Sequence, residues 1–278
     1  MENIKKGDIV GRKSYNKDIL FIVDRIIKTS NGKAIAMLKG LNIRIQADSY
    51  IDDLELIDKK IIQESERKLD KKFEARLQRY ETQLQNLDGL KRSNKVIYTG
   101  KILHLDGDKR YSEKSKLFYR KIGLKAVVKN VPESRQASVV SNLMDRYKPD
   151  ILIITGHDGM IKSGTGYNDI YNYRNSKYFI NAVKQARENK NIKKDLVIFA
   201  GACQSFYEEL INAGANFASS PARILIDFMD PLIVAERVAT TDYDKYLTIK
   251  DIESELRDGQ RGVNGIGAMG KKKIMTIL

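Results

Sequence analysis

A chain of 278 residues with 42% hydrophobic and 31% charged side chains can bury a sizeable core, which excludes wholesale disorder and suggests one large domain or two small ones. No apolar run approaches the roughly 18 residues of a transmembrane helix, and the start Met1-Glu2-Asn3-Ile4-Lys5-Lys6 lacks the apolar stretch of a signal peptide. One cysteine, Cys203, and two histidines, His104 and His157, exclude a disulfide framework, a Cys-rich zinc site and a multi-His metal centre, while 50 Lys plus Arg against 36 Asp plus Glu give a formal charge of +14.

Residues 1–57 hold several short apolar or alternating runs: Asp8-Ile9-Val10, Ile19-Leu-Phe-Ile-Val23, Ala34-Ile-Ala-Met-Leu38 and Leu41-Asn-Ile-Arg-Ile45. Turn signals at Tyr15-Asn-Lys-Asp18 and Ser30-Asn31-Gly32 separate them, the Asn-Gly pair being a strong hairpin signal. The pattern predicts a small SH3-like β barrel, a fold that binds nucleic acid or protein partners and leaves function open. Over 58–93, Leu69, Phe73, Leu77, Tyr80, Leu84 and Leu87 recur at steps of three and four. They predict an amphipathic helical connector, ending at Asp88-Gly89, that docks on one neighbour or dimerises.

From Asn94 apolar runs alternate with helical stretches. The runs are Val96-Ile-Tyr98, Ile102-Leu-His-Leu105, Leu124-Lys-Ala-Val-Val128, Ile151-Leu-Ile-Ile154, Leu196-Val-Ile-Phe199 and Ile224-Leu-Ile226. Helices are predicted near 112–121, 133–147, 176–190 and 205–213, with Pro132 opening one and Lys148-Pro149 closing it. Runs buried on both faces, alternating with helices, predict a three-layer α/β domain with a mostly parallel sheet over 94–260. Thr248-Ile-Lys-Asp251 reads as a capping box. The Gly-rich basic tail, 261–278, contains Gly265-x-Gly267-x-x-Gly270, but no βαβ unit surrounds it, so a flexible or surface-packed tail is expected rather than a dinucleotide site.

The chemistry is carried by two runs that end alike. Ile151–Gly156 leads into His157-Asp158-Gly159, and Leu196–Gly201 leads into Ala202-Cys203-Gln204-Ser205. If these are neighbouring parallel strands, their carboxyl ends share the sheet edge where α/β folds place ligands. The sole cysteine and one of two histidines then emerge side by side. A thiolate is a nucleophile, and a nearby imidazole can take its proton and later protonate a leaving amine. The backbone N–H groups of Gly159 and Cys203 can hold an oxyanion. The plainer alternative is a buried cysteine acting as a small hydrophobe, with His157 a satisfied core group. His104, inside its run, reads as structural. Asp158 is a candidate to orient His157, and Ser163-Gly-Thr-Gly166 could form a mobile substrate loop.

An apolar strand ending in His, then a second ending in Ala-Cys, resembles the caspase-like cysteine peptidases. Ala202-Cys203-Gln204 is similar to the centre of their Q-A-C-[RQG]-G signature, at a His-to-Cys spacing near its usual ~50 residues. Gly201 and Ser205 replace the outer residues, and Asp158 separates His157 from Gly159. A longer resemblance, to the YabG peptidases of spore-forming Firmicutes, rests on Lys6-Gly-Asp-Ile-Val-Gly-Arg-Lys-Ser-Tyr15, Leu103-His-Leu-Asp-Gly-Asp108, Thr155-Gly-His-Asp-Gly159, Gly201-Ala-Cys-Gln-Ser205 and the Gly262–Gly270 tail. It implies a sporulation-associated cysteine endopeptidase that trims spore coat and germination proteins after Arg or Lys, needing no cofactor or metal. It also implies a cytoplasmic location in the mother cell, with later association with the spore.

In caspase-like folds the first sheet strand ends beside the pocket for the residue before the cut. Here that strand ends at Asp106-Gly107-Asp108, so Asp106 or Asp108 is the expected acid for an Arg or Lys side chain. Asp227 and Asp230 are rivals. A basic enzyme cutting after basic residues is expected to cut itself, with Arg76, Arg79 and Arg92 of the connector as candidate sites. Two other classes stay open: a nucleic-acid-binding adaptor, marked by salt-dependent binding, and a non-catalytic spore scaffold, marked by an inert thiol.

Overall fold

The computed structural model describes residues 4–30, 32–91, 95–161, 166–191 and 194–276. Asn31, Arg92 and Ser163–Thr165, and the side chains of Leu84 and Leu87, lie outside what it describes.

Strands β1 (Ile9–Arg12), β2 (Phe21–Lys28), β3 (Ala34–Gly40), β4 (Gln46–Tyr50) and β5 (Leu54–Leu56) form an antiparallel sheet in the order β4-β3-β2-β1-β5. Alternation does the work: Ala36, Leu38 and Gly40 of β3 turn inward, joining Val10, Phe21, Val23 and Leu54 in a small core. β4 and β5 end the order without pairing to each other, so hydrogen-bonded strands do not close this sheet into a ring. Leu41–Ile45, expected as a strand, is instead the connection between β3 and β4. It doubles back so tightly that a Cβ on Gly40 would sit 2.3 Å from the Ile43 carbonyl oxygen.

Helix α1 (Lys59–Lys91) docks through the expected stripe. Leu69, Leu77 and Tyr80 are buried in the core of the following domain, and Phe73 meets Phe118 edge-on at 5.6 Å between centroids. Arg76 ion-pairs with Glu236 at 2.7 Å and with Glu255, fixing the helix against later chain.

Next come β6 (Lys95–Tyr98), β7 (Ile102–Asp106), α2 (Lys109–Lys121), β8 (Ala126–Asn130), α3 (Glu133–Tyr147), β9 (Ile151–Thr155), α4 (Ser176–Glu188), β10 (Val197–Ala200), α5 (Tyr207–Asn212), β11 (Phe217–Ser219) and α6 (Asp230–Thr240). Then follow β12 (Tyr246–Leu247), α7 (Gly259–Gly262), β13 (Val263–Gly265), β14 (Ala268–Met269) and β15 (Lys273–Thr276). The main sheet runs β13-β11-β10-β9-β7-β8, with its first five strands in sequence parallel and β13 antiparallel. Its side chains alternate between two cores: Ile151 and Ile153 pack with α1, α2 and α6, whereas Leu152 and Ile154 pack with α3, α4 and α5.

Four further elements depart from the sequence reading. Val96-Ile-Tyr98 belongs to β6, which pairs with β15 outside the main sheet. Ile224-Leu-Ile226 is not a sheet strand; Leu225 and Ile226 pack into the N-terminal core, and the three-residue β11 takes the sheet position. Helix α6 went unread because it is buried nearly all round and so carries little amphipathic contrast. The Gly-rich tail supplies β13, and a Cβ on Gly265 would lie 2.0 Å from the Asn216 carbonyl oxygen, so the glycine serves strand packing.

Candidate active site

β9 and β10 are adjacent parallel strands, with Ile154 opposite Ala200, so His157 and Cys203 leave one sheet edge side by side. β7 flanks β9 on its other side with Asp106 opposite Thr155. Three functional candidates thus follow three neighbouring strands. The turn carrying Cys203 is sharp: Gly201 has φ +108° and Gln204 φ +56°.

Asp158 locks this edge together. Its buried Oδ1 accepts from the amides of Gly159 (2.8 Å) and Asn175 (2.7 Å), and its Oδ2 from the hydroxyls of Ser176 (2.5 Å) and Ser205 (2.8 Å). Ser205 in turn accepts from the Ala202 amide at 2.9 Å. The carboxylate therefore ties the His157 loop, the start of α4 and the Cys203 turn, and does not contact the His157 ring. Burial pushes its pKa up to about 6 despite four donors. A folded pKa above the unfolded value is stabilising at low pH, and that contribution is lost as pH rises through 6. Measured by urea unfolding, Asp158→Asn is expected to remove this slope, so wild type should lose about 2 kcal/mol relative to the variant between pH 4 and 7.

Cys203 is fully buried, its Sγ accepting from the Ile226 amide at 3.2 Å and lying 3.6 Å from the Ile226 carbonyl. Burial pushes the thiol up to about 12. The His157 ring, also fully buried, stacks on Tyr111 with centroids 5.4 Å apart. Its Nε2 lies 3.4 Å from the Gly40 carbonyl oxygen and 3.9 Å from Asp108 Oδ2, while Nδ1 has no hydrogen-bond partner. Burial pushes the imidazole down to about 4, against the upward pull of Asp108. The His157 amide donates to Glu133 Oε1 at 2.8 Å. Gly107 and Gly156 make room for that carboxylate: a Cβ on either would come within 2.2 or 2.4 Å of it.

The unexpected participant is Arg44, from the β3–β4 connection. Its guanidinium is fully buried, with Nη1 2.9 Å from Asp106 Oδ2 and 3.4 Å from the Gly156 carbonyl, and Nη2 3.5 Å from the Phe228 carbonyl. The rings of Tyr111 and Phe228 lie 4.8 and 5.5 Å from its carbon Cζ. Burial alone would raise the Asp106 carboxyl, but Arg44, with His104 and the Asp108 amide, holds it well below the usual carboxylate range. The Arg44 carbonyl oxygen accepts from two amides, Asp158 at 3.1 Å and Cys203 at 3.2 Å. Beside it Ile43 bridges Asp227 antiparallel and Ile45 bridges Asp158 parallel, so the segment crosses the sheet edge as an added strand.

Of the two amides expected to face an oxyanion, Cys203 meets this carbonyl; Gly159 gives its N–H to Asp158 Oδ1, and Asp158 takes its place. Asp106 meets the guanidinium, whereas Asp108 caps α2 through the Arg110 and Tyr111 amides and pairs with Arg110 at 2.8 Å. Asp227 pairs with Lys72, and Asp230 is buried at the start of α6, accepting from the Asp227 and Arg257 amides. His104 lies 3.2 Å from the Tyr119 hydroxyl inside β7. Arg76 and Arg79 sit in helix α1, where they line a cavity together with Asp227 and Met229. Sequence reasoning missed Arg44, Glu133 and Tyr111. The one available signal for Arg44 was a cation amid the apolar Leu41–Ile45 run.

A family model described as YabG peptidase U57 matches residues 5–276. The sporulation-specific protease YabG of Bacillus subtilis (strain 168) is 37% identical over 283 residues, spanning 96% of this chain and 96% of its own length. No solved structure matches the chain.

Proposed function

Because this chain belongs to the YabG peptidase family, U57, and is thereby a sporulation-associated peptidase, we propose that it cuts peptide bonds after arginine with Cys203 as nucleophile and His157 as general base. One observation carries this reading: an arginine lies across the sheet edge with its carbonyl on the Cys203 and Asp158 amides and its guanidinium on Asp106. Those are the places a substrate's carbonyl and side chain must take if Cys203 is to attack.

The chemistry follows from the groups present. The Cys203 sulfur adds to the carbonyl carbon as its proton passes to His157, unprotonated in the enclosed site. Negative charge develops on the oxygen held by the Cys203 and Asp158 N–H groups, which are fixed in place before the reaction. The carbon–nitrogen bond then breaks, His157 protonates the leaving amine, and water hydrolyses the thioester to free the thiol. Asp158 positions both loops through Ser176 and Ser205, and Glu133 holds the His157 backbone. No step calls on a cofactor.

The pocket favours arginine over lysine. Two guanidinium nitrogens reach separate acceptors while the group lies against the rings of Tyr111 and Phe228, and an ammonium can reproduce neither feature. In a panel of fluorogenic peptides, kcat/KM for arginine before the cut should exceed that for lysine by about 10- to 100-fold, with neutral side chains lower still. Equal turnover across the panel would refute the pocket assignment. Natural substrates under this reading are spore coat and germination proteins that expose arginyl or lysyl bonds, met in the sporulating mother cell. No helix among the described residues is long and apolar enough to cross a membrane.

A further inference from the structure

Cys203, His157 and Asp106 have no exposed surface. What covers them is the chain's own Leu41–Gln46 segment, and it does so in the manner of a substrate. Backbone pairing runs on both sides of Arg44, through Ile43 with Asp227 and through Ile45 with Asp158. The Gln46 amide donates to the Asp158 carbonyl at 2.7 Å, and the Asn175 side-chain amide to Gln46 Oε1 at 2.6 Å. Upstream, the Tyr111 hydroxyl lies 3.3 Å from the Gly40 carbonyl and 3.2 Å from that of Ile43. Asn42 donates to the Ser65 hydroxyl of α1 at 2.7 Å. Gly159 is required by this passage, since a Cβ there would lie 2.3 Å from the Gln46 carbonyl oxygen. Cys203 itself packs in the same apolar cluster as Val10, Phe21 and Leu38 of the N-terminal sheet.

We propose that the Leu41–Gln46 loop is a built-in occupant of the substrate cleft, that the intact chain is thereby closed to other substrates, and that it opens when Cys203 cuts the Arg44–Ile45 bond of the same molecule. The inference rests on the peptidase reading above. In the step, Cys203 Sγ bonds to the Arg44 carbonyl carbon while its proton goes to His157. The Arg44–Ile45 carbon–nitrogen bond breaks, and Ile45 nitrogen receives that proton. One water then splits the thioester, leaving an Arg44 carboxylate, an Ile45 amine that ionises to ammonium, and the free thiol.

The cut destabilises the closed form. Ile45 is 6% exposed, and a new ammonium at that depth has an unfavourable solvation energy that leaving the cleft relieves. The bond lies between β3 and β4, so fragment 1–44 keeps β1 to β3 and fragment 45–278 keeps β4 onward. Arg44 thereby replaces Arg76 as the bond the dyad meets first: Arg76 is helical and ion-paired to two glutamates, whereas Arg44 is already extended in the cleft.

The test follows purified full-length chains over time by N-terminal sequencing and intact mass, alongside turnover of an arginyl fluorogenic peptide. Wild type should yield a new terminus beginning Ile45-Gln46-Ala47, with peptide turnover rising at least about tenfold as it appears, while Cys203→Ala stays intact. Ile45→Pro keeps Arg44 and Asp106 paired but resists cleavage, and should remain both uncut and slow on the peptide. The proposal is overturned if wild type turns over peptide at a constant rate with the bond intact, or if Ile45→Pro is as active as wild type. An intact, inert wild type beside an active Arg44→Gln chain would equally overturn self-cutting. If neither wild type nor Arg44→Gln turns over any arginyl peptide, the peptidase assignment to this dyad fails first, and this proposal with it.

Discussion

Cys203→Ala and His157→Ala chains should each lose at least about 10³-fold in kcat/KM on arginyl peptides, with no additive loss in the double variant, because the thiol and its proton acceptor act as one unit. Retained turnover in either would place the nucleophile or the base elsewhere on the sheet edge. Thiol chemistry offers a second readout that needs no substrate. In the closed chain the sulfur lies among apolar side chains and burial pushes it up to about 12, although the Ile226 amide and Arg44 act the other way. At neutral pH its thiolate fraction then falls roughly 10³-fold below that of an ordinary cysteine. Iodoacetamide should modify Cys203 very slowly in the Ile45→Pro chain, with the rate still climbing tenfold per pH unit beyond pH 9. In the cut chain, water reaches the sulfur, and the rate should bend at lower pH. Matching pH profiles for the two chains would contradict the enclosure.

Much of the fold was legible because local signals coincided with their tertiary setting. Pro132 and Lys148-Pro149 bracket α3, and Ile151-Leu-Ile-Ile154 and Leu196-Val-Ile-Phe199 are too short and too apolar to be anything but strands covered on both faces. Those two runs also placed His157 and Cys203 at equivalent strand ends, which is where adjacent parallel pairing puts them. What escaped was set by contacts distant in sequence. Ile224-Leu-Ile226 has the composition of a strand, yet its side chains go to a different core, and only the position of the N-terminal sheet reveals this. Arg44 is more instructive. Within Leu41-Asn-Ile-Arg-Ile45 only Ile43 and Ile45 form sheet bridges, and their bridge partners are Asp227 and Asp158. Nothing local marks this, since the partners lie more than a hundred residues away. Glu133 went unread for a related reason: its use depends on the absence of side chains at Gly107 and Gly156, one on each of two neighbouring strand ends.

Compared in chains whose Arg44–Ile45 bond is already cut, Asp106→Asn should lower kcat/KM for arginyl peptides by about 10²- to 10³-fold, or 3 to 4 kcal/mol, while leaving peptides with glutamine or methionine before the cut little changed. The carboxylate has no solvent to share its charge with; its partner in the intact chain is Arg44, equally enclosed, 2.9 Å away. Removing one member of such a pair leaves the other buried and uncompensated, so Asp106→Asn should also destabilise the uncut chain by about 3 to 5 kcal/mol. Arg44→Gln should do the same by stranding the carboxylate. Combining them removes both charges, and the double variant should recover most of that loss, a coupling measurable by urea unfolding of all four chains in a Cys203→Ala background that prevents cutting. Stability and specificity are thereby tied to one contact, and the two readouts can fail separately. Loss of arginine preference with additive stabilities would place the acid in the substrate pocket without the Arg44 plug. A strong coupling with arginine preference intact would keep the plug and move the specificity acid to Asp108 or Asp227. Both effects together are expected, because the carboxylate that receives a substrate arginine is the one that Arg44 occupies.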